Sequence, residues 1–317
     1  MACVEENISL EDARFDPFRR NDISLDWIEL VKFPFVFVIF PFRFLGALLS
    51  VLGCYVFFLI FGPSVRKNKA VDVSTSRRRL LLRGGRFFSR ACLFFLGFYR
   101  ICGRQHPDYD SFEAKRYALV CNHTSMLDIL ILMSICMPSF VSKETVSRVP
   151  FIGRIATGMQ CIYVDRSSRG GVSSKVIERQ QACMERRPVA PLVIFPEATT
   201  TNGHFLVKFH TGVFRGGFPV VPVVIQYRYR RFSPTYETIR SAYYIYKLFT
   251  QLYNEAEYTL LPIYYPSEVE KNDPVIYANN VRAVMQKELK CALSESSYHD
   301  KLVYHGLLRQ RSRPKRI

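Results

Sequence analysis

No pair of cysteines in this chain stands at C-x-x-C spacing, and the nine cysteines are odd in number and scattered. That argues against a disulfide framework and against a structural zinc site, and it fits reduced thiols facing the cytosol. There is no internal repeat, no low-complexity tract and no recognised nucleic-acid-binding motif. A secretory signal peptide is missing too, because the first long apolar run begins late and follows an acidic stretch. Acid is scarce: 27 Asp and Glu stand against 44 Lys and Arg, a net charge of +17. Such a balance favours an anionic partner, either acidic lipid or a phosphate-bearing substrate once nucleic acid is set aside.

What is present is unevenly placed. Residues 1–30 form an acidic segment of eight acids and three arginines, whereas residues 66–90 carry nine bases and the single acid Asp72. Between them lies "VKFPFVFVIFPFRFLGALLSVLGCYVFFLIFG", residues 31–62, of which 44–62 are 19 residues without a charge. A helix needs about 20 apolar residues to cross a bilayer core, so one span is possible. Pro41 and Arg43 interrupt the run, and a proline break with an arginine at a turn near the headgroups favours a two-helix hairpin dipping into one leaflet. The basic block beside it would mark the cytoplasmic side and attract anionic headgroups. The following apolar run, Phe87–Cys102, carries Ser89, Arg90 and Arg100 and reads as an interfacial or buried helix.

From about residue 104 the texture changes to short apolar strands alternating with helices. Strands are expected at Tyr117–Cys121, Cys161–Asp165, Pro191–Phe195, Phe218–Tyr229 and Tyr258–Pro266, with the prolines of Phe218–Tyr229 putting it at an edge or bend. Helices are expected after Ser125, over Gly171–Arg187, about 237–254 and from about Pro274 to Ala292. The fold class is therefore α/β, a mixed sheet flanked by helices, preceded by an N-terminal membrane-embedded helical segment. The divisions are 1–30 acidic, 31–103 membrane-embedded hairpin or span plus basic interfacial helix, 104–300 catalytic domain, and 301–317 a basic tail.

Three polar clusters could carry chemistry. In "NHTSMLD", Ser125 and Asp128 have the spacing of a helix cap. His123 would then lie just outside the helix and could fold back onto Asp128, which leaves its other ring nitrogen as a base. The bland reading is a capping box beside a structural histidine. In "IFPEATTTNG", Glu197, Thr199 and Thr200 follow a buried strand and are placed to hold polar substrate groups, unless they form only a hydroxyl-rich turn. In "GMQCIYVDR", Arg166 follows a strand and suits a phosphate, although a lone surface arginine is commoner. Asn122-His123-Thr124 also matches a glycosylation sequon, which has no meaning on a cytosolic face.

Taken together and in this order, the clusters resemble the glycerophospholipid acyltransferase family. Its H-x4-D motif is matched by "NHTSMLD", its strand ending in arginine by "GMQCIYVDR", its Glu-Gly-Thr block by "FPEATTTNG" and its Val-Pro strand by "VVPVVIQY". The threonine-rich block with Asn-Gly, and "LPIYYPSEVEKNDPVIYANNVRAVM", resemble the lysophosphatidylcholine and lysophosphatidylethanolamine acyltransferase branch. The resemblance runs from the membrane segment to about residue 292 and departs at Ala198, where the family usually has glycine. Some members of the branch carry calcium-binding loops, but D-x-D-x-D-G is absent here, so no direct calcium dependence is expected.

What the resemblance implies is acyl transfer from acyl-CoA to the free hydroxyl of a lysophospholipid. His123 would act as base and Asp128 as its orienting partner, with backbone N–H groups at the helix start holding the oxyanion. Arg166, Glu197, Thr199 and Thr200 would bind the acceptor. It implies acyl-CoA as co-substrate, no bound metal, no permanent cofactor and no covalent intermediate. Other expectations are a glycerol-3-phosphate or lysophosphatidate acyltransferase (Thr200 stands where the latter often has arginine), a CoA-independent transacylase, or a catalytically inactive membrane scaffold. The membrane would be that of the endoplasmic reticulum, with the catalytic domain on the cytosolic face. The final "RPKRI" loosely resembles a dibasic retrieval signal.

Overall fold

The computed structural model describes residues 9–20, 27–62, 65–66, 69–70, 75–111, 113–164, 171–187 and 189–311. Its centre is a seven-stranded sheet: β1 (Ile101–Gln105), β2 (Ala118–Cys121), β3 (Ser139–Lys143), β4 (Ile162–Val164), β5 (Leu192–Ile194), β6 (Val220–Arg228) and β7 (Glu255–Leu260). The spatial order is β1-β7-β6-β2-β5-β3-β4. Every neighbouring pair is parallel except β6 with β7. The sheet is thus mixed, and β2, β3, β4, β5 and β6 all point their carboxyl ends the same way, the end where α/β sheets bind ligands.

Helices cover it: α3 (Leu127–Cys136), α4 (Ile152–Gly158), α5 (Gly171–Met184), α6 (Ser241–Thr250), α7 (Glu268–Asn272), α8 (Pro274–Leu289) and α9 (Tyr298–Arg311), after the long N-terminal α1 (Trp27–Phe61) and α2 (Thr75–Phe95). Short caps start two of them. Ser267 and Glu270 form a reciprocal capping box on α7, and Asp273 caps α8, whose first residue is Pro274. One apolar core lies under α1, α2, α3 and α6, and another under α5 and α8.

Four expectations need correction. The strand through Pro222 is interior, between β7 and β2, not at an edge. Proline lacks only the N–H; its C=O still accepts from Leu261 N–H at 3.0 Å. The strand expected over Tyr258–Pro266 lies earlier, at Glu255–Leu260. β1 arises from the end of the apolar run assigned to an interfacial helix, and β3 was not foreseen. The C-terminal tail begins later than residue 301, since α9 carries the chain in order to Arg311 and packs Tyr304 on Phe15 with ring centroids 5.1 Å apart.

The membrane segment is not a hairpin folded at Pro41. α1 runs unbroken for 35 residues through Pro34 and Pro41, and its part Val36–Phe61 is long and apolar enough to span. The hairpin is made instead by α1 with α2, running antiparallel. Phe95 fills the space over Gly46, Phe88 that over Gly53, and Phe57 that over Gly84. Any side chain at Gly46 would collide with the Phe95 ring, so these helices approach through their glycines. Arg43 is not at a headgroup turn. It is buried and donates to the carbonyls of Phe249 (3.2 Å), Gln251 and Leu252 (2.8 Å) at the end of α6, and to the Tyr99 hydroxyl. A guanidinium placed there supplies the donors that a helix C-terminus lacks.

α1 also touches the α/β body at both ends of its apolar stretch. Phe40 and Phe44 pack on Phe249 of α6 (5.8 and 5.7 Å), Phe58 lies over Gly158 of α4, and Tyr55 meets Phe151 at 5.1 Å. Residues 40 and 58 are about 27 Å apart along a helix, so α1 lies along the domain instead of projecting from it.

Candidate active site

The turn after β2 is fixed by backbone chemistry on every side. Asn122 locks the strand end to β6: its side chain donates to Ile225 C=O at 2.9 Å and accepts Ile225 N–H at 2.8 Å. With both amide ends engaged and the side chain buried, the sequon is structural. His123 N–H donates to Glu197 Oε1 at 2.7 Å, and His123 C=O accepts from Thr201 N–H at 3.0 Å. Thr124 C=O accepts from Tyr236 N–H at 2.7 Å.

Within that frame His123 and Asp128 meet. Asp128 Oδ2 lies 2.9 Å from His123 Nδ1. The same oxygen accepts the N–H groups of Thr124 (2.8 Å) and Ser125 (2.9 Å), and Oδ1 accepts the Tyr227 hydroxyl at 2.6 Å. Four donors around a fully buried carboxylate offset its desolvation. The Tyr227 phenol, buried beside that carboxylate, is pushed far above its ordinary range, chiefly by burial, and stays a donor. His123 keeps a partly open edge, and its ring stacks on Phe195 at 4.1 Å and 19°. With Nδ1 taken by Asp128, Nε2 is the nitrogen left to act as base.

The second cluster surrounds the first from behind. Glu197 is 1% exposed, and its other oxygen accepts Val207 N–H at 3.2 Å. Burial pushes its carboxyl up to about 8 and nearby Asp128 adds to this, while the two N–H bonds and Arg282 pull down. Burial wins. Ala198 has φ 53°, the left-handed region that glycine takes freely. The family's glycine therefore serves backbone conformation here, and alanine carries a strain of ~1–2 kcal/mol. Thr199 is buried. Thr200 Oγ1 donates to Tyr236 C=O and accepts from Lys301 Nζ at 2.8 Å, and Lys301 also donates to Thr200 C=O at 2.7 Å.

Comparison with known proteins decides what this pair belongs to. The acyltransferase family profile matches residues 105–226. Lysophospholipid acyltransferase LPEAT1 of Arabidopsis thaliana is 36% identical over 97% of this chain and 88% of its own length. The chain belongs to the acyltransferase family. Lysophosphatidylcholine acyltransferase of Drosophila melanogaster is 30% identical over 87% of this chain, but the alignment covers 52% of that protein, so the chain spans about half of this relative. Among solved structures, a 1-acyl-sn-glycerophosphate acyltransferase, PlsC, from Thermotoga maritima matches with a TM-score of 0.51 at 16% identity, over 78% of this chain and 96% of that one. That likeness concerns the fold.

The structure brings together the His123 and Asp128 that the H-x4-D spacing pairs. Other assignments change. Glu197 and Thr200 are buried, and their side chains bond within the protein, Glu197 to the His123 and Val207 N–H groups and Thr200 to Tyr236 C=O and Lys301. The helix-start N–H groups of Thr124 and Ser125 are spent on Asp128, so they do not serve an oxyanion. Met126 flanks α3 directly, and Ser125 still serves the helix start: its Oγ accepts Leu127 N–H at 3.2 Å and donates to Pro234 C=O at 2.7 Å, while Asp128 accepts Ser125 N–H. Arg166 lies outside the described residues. Sequence reasoning missed Tyr227, which follows Asp128 by 99 positions, and Lys301, which no motif flagged. It also missed the N-terminal segment, where Asn202 donates through its side chain to Asp16 C=O (2.7 Å) and Arg19 C=O (3.0 Å), and Arg20 pairs with Glu237 at 2.7 Å.

Proposed function

We propose that this acyltransferase moves a fatty acyl group from acyl-CoA to the free hydroxyl of a lysophospholipid, in phospholipid remodelling or synthesis. The observation that carries the reading is the His123 Nδ1 to Asp128 contact of 2.9 Å beside a partly open imidazole edge. The names of the relatives support the lysophospholipid acceptor, and the +17 charge suits a polyanionic CoA donor. In the reaction, Nε2 of His123 removes the acceptor hydroxyl proton as that oxygen bonds to the thioester carbonyl carbon. The tetrahedral adduct collapses with breakage of the C–S bond. The departing CoA thiolate takes up the proton from the imidazolium, which Asp128 has stabilised. Nothing in this sequence needs a covalent acyl-enzyme. By the resemblance, Arg166 is assigned the acceptor's phosphate.

The α1–α2 hairpin is assigned to one leaflet. A helix crossing a core of about 30 Å could not keep α6 at one end and α4 at the other in water on one side. The exposed face of α1, with Val38, Phe42, Leu45, Leu49, Leu52, Val56 and Leu59 in a continuous stripe, would lie in acyl chains. The endoplasmic reticulum membrane with the catalytic domain on its cytosolic face fits the substrates and the basic flank. The test is an assay of purified enzyme with labelled acyl-CoA and four acceptors: lysophosphatidylcholine, lysophosphatidylethanolamine, lysophosphatidate and glycerol 3-phosphate. Label should enter one of the first two. Label in lysophosphatidate or glycerol 3-phosphate alone would replace the proposed acceptor.

A further inference from the structure

The chain between β3 and α4 contains a turn with an unusual backbone. Phe151 has φ 63° and ψ −52°, and Ile152 N–H donates to Pro150 C=O at 2.7 Å. Together these define a three-residue γ-turn with positive φ at its centre, a rare and strained form. Phenylalanine has no polar side-chain group to relieve it, and glycine would suit the position better. Strained backbone of this kind persists where something other than local preference selects it.

What the turn displays is apolar. Phe151 is 49% exposed, Val149 45% and Ile152 43%. Three half-exposed apolar side chains in four residues form no core. Their direction is given by Tyr55 of α1, which meets the Phe151 ring edge-on at 5.1 Å. Tyr55 stands with Leu52, Val56 and Leu59 at positions i+3, i, i+4 and i+7 of one helix face, and those three neighbours are exposed. The surface of the turn therefore continues the apolar stripe of α1. Arg148 flanks it, its side chain 80% exposed and only loosely paired with Glu144 at 3.9 Å, an arrangement that leaves a guanidinium for headgroup phosphates.

We propose that residues 149–152 are a second membrane contact, a wedge that inserts Phe151 among the acyl chains beside α1. The inference rests on the membrane reading above and adds a point to it. One helix lying in a leaflet defines a line about which the body can roll; a contact off that line fixes the roll. The wedge follows β3, whose Phe140 stacks on Phe195 (6.0 Å), the ring that lies flat against His123. Fixing this edge fixes the height of the catalytic base relative to the hydroxyl of an acceptor held in the bilayer.

The test uses full-length protein and phosphatidylcholine vesicles with brominated acyl chains. In a Trp27→Phe background, Phe151→Trp should give emission that shifts blue and is quenched by the bromines. Phe151→Gly should unfold at higher denaturant than wild type, because strain is relieved, yet bind vesicles about tenfold more weakly, as expected for loss of one inserted aromatic side chain. Wild type that floats with vesicles, while the indole of Phe151→Trp stays unquenched and Phe151→Gly binds as well, overturns the wedge and leaves the membrane reading standing. Wild type that does not float overturns both. A Phe151→Gly variant that loses stability would make the ring a packing element, and a wild-type dimer that dissociates on that substitution would make the turn a protein interface; either result also overturns the wedge.

Discussion

His123 owes its position to buried neighbours that bond its backbone and ring, Glu197, Thr201 and Asp128, and three predictions belong at this scale. Replacing the base, His123→Ala, should lower turnover by about 10²–10⁴-fold with the unfolding midpoint and vesicle binding unchanged. Ala198→Gly should raise stability by up to about 1 kcal/mol, the relief of a left-handed alanine less the extra chain entropy of glycine; denaturant unfolding checks it. Glu197 has its carboxyl pushed by burial from the ordinary 4.5 to about 8. A folded pKa above the unfolded one means the folded state binds the proton more tightly. Its contribution is therefore complete below pH 4.5 and is lost as pH rises towards about 8. Wild-type stability should carry that decline between pH 5 and pH 8, and Glu197→Gln should lack it. The His123–Asp128 contact was legible because its partners are five residues apart and the spacing is a motif. The role of Glu197 was not, because nothing in "FPEATTT" says that both oxygens turn back to the backbone N–H groups of His123 and Val207. Ala198 shows the intermediate case: the sequence showed alanine where the family usually has glycine, and only φ 53° says what a glycine would serve there.

At the scale of elements, the site is a turn between strand β2 and helix α3 held by two loops, and the loops are held by segments near the chain's two ends. Thr201 N–H and Tyr236 N–H each grip a carbonyl of the catalytic turn, and Lys301 of α9 bonds Thr200 at 2.7 and 2.8 Å and Tyr236 C=O at 3.5 Å. Burial lowers the Lys301 amine to about 8 against the pull of Glu237 and Glu197. Lys301→Met should therefore reduce kcat by about 10- to 100-fold through displacement of His123 while KM for the acyl donor holds, and Lys301→Arg should recover part of the loss. A shift of KM alone would make the lysine a substrate contact. The hairpin error at Pro41 and the edge-strand error at Pro222 have one physical origin. Proline at 41 or 222 reads locally as a break, but packing and carbonyl bonding override it where α1 is held on one side by α2 and α6 and the strand lies between β2 and β7. Lys301 and the segment 14–20 carry no periodicity or motif; their meaning is set by contacts over nearly the whole length of the chain.

The whole molecule joins a basic α/β body to a hairpin, apolar α1 against arginine-rich α2, laid along it, an arrangement suited to the proposed meeting of lipid and a soluble polyanion at one interface. The broad outline was readable early, because a charge of +17, an uncharged 19-residue run and alternating strands need no tertiary information. How the run lies was not, since Arg43 has the same sequence whether it reaches for headgroups or caps α6. The account stands or falls on acyl transfer by His123 held on Asp128. The direct measurement is single-turnover transfer of labelled acyl-CoA to lysophosphatidylcholine and lysophosphatidylethanolamine by wild type, His123→Ala and Asp128→Asn, reconstituted at equal amounts in the same membrane. Wild type should acylate at least one acceptor, and each variant should fall by about 10²-fold or more while remaining folded and bound; variants that transfer as fast as wild type would contradict it.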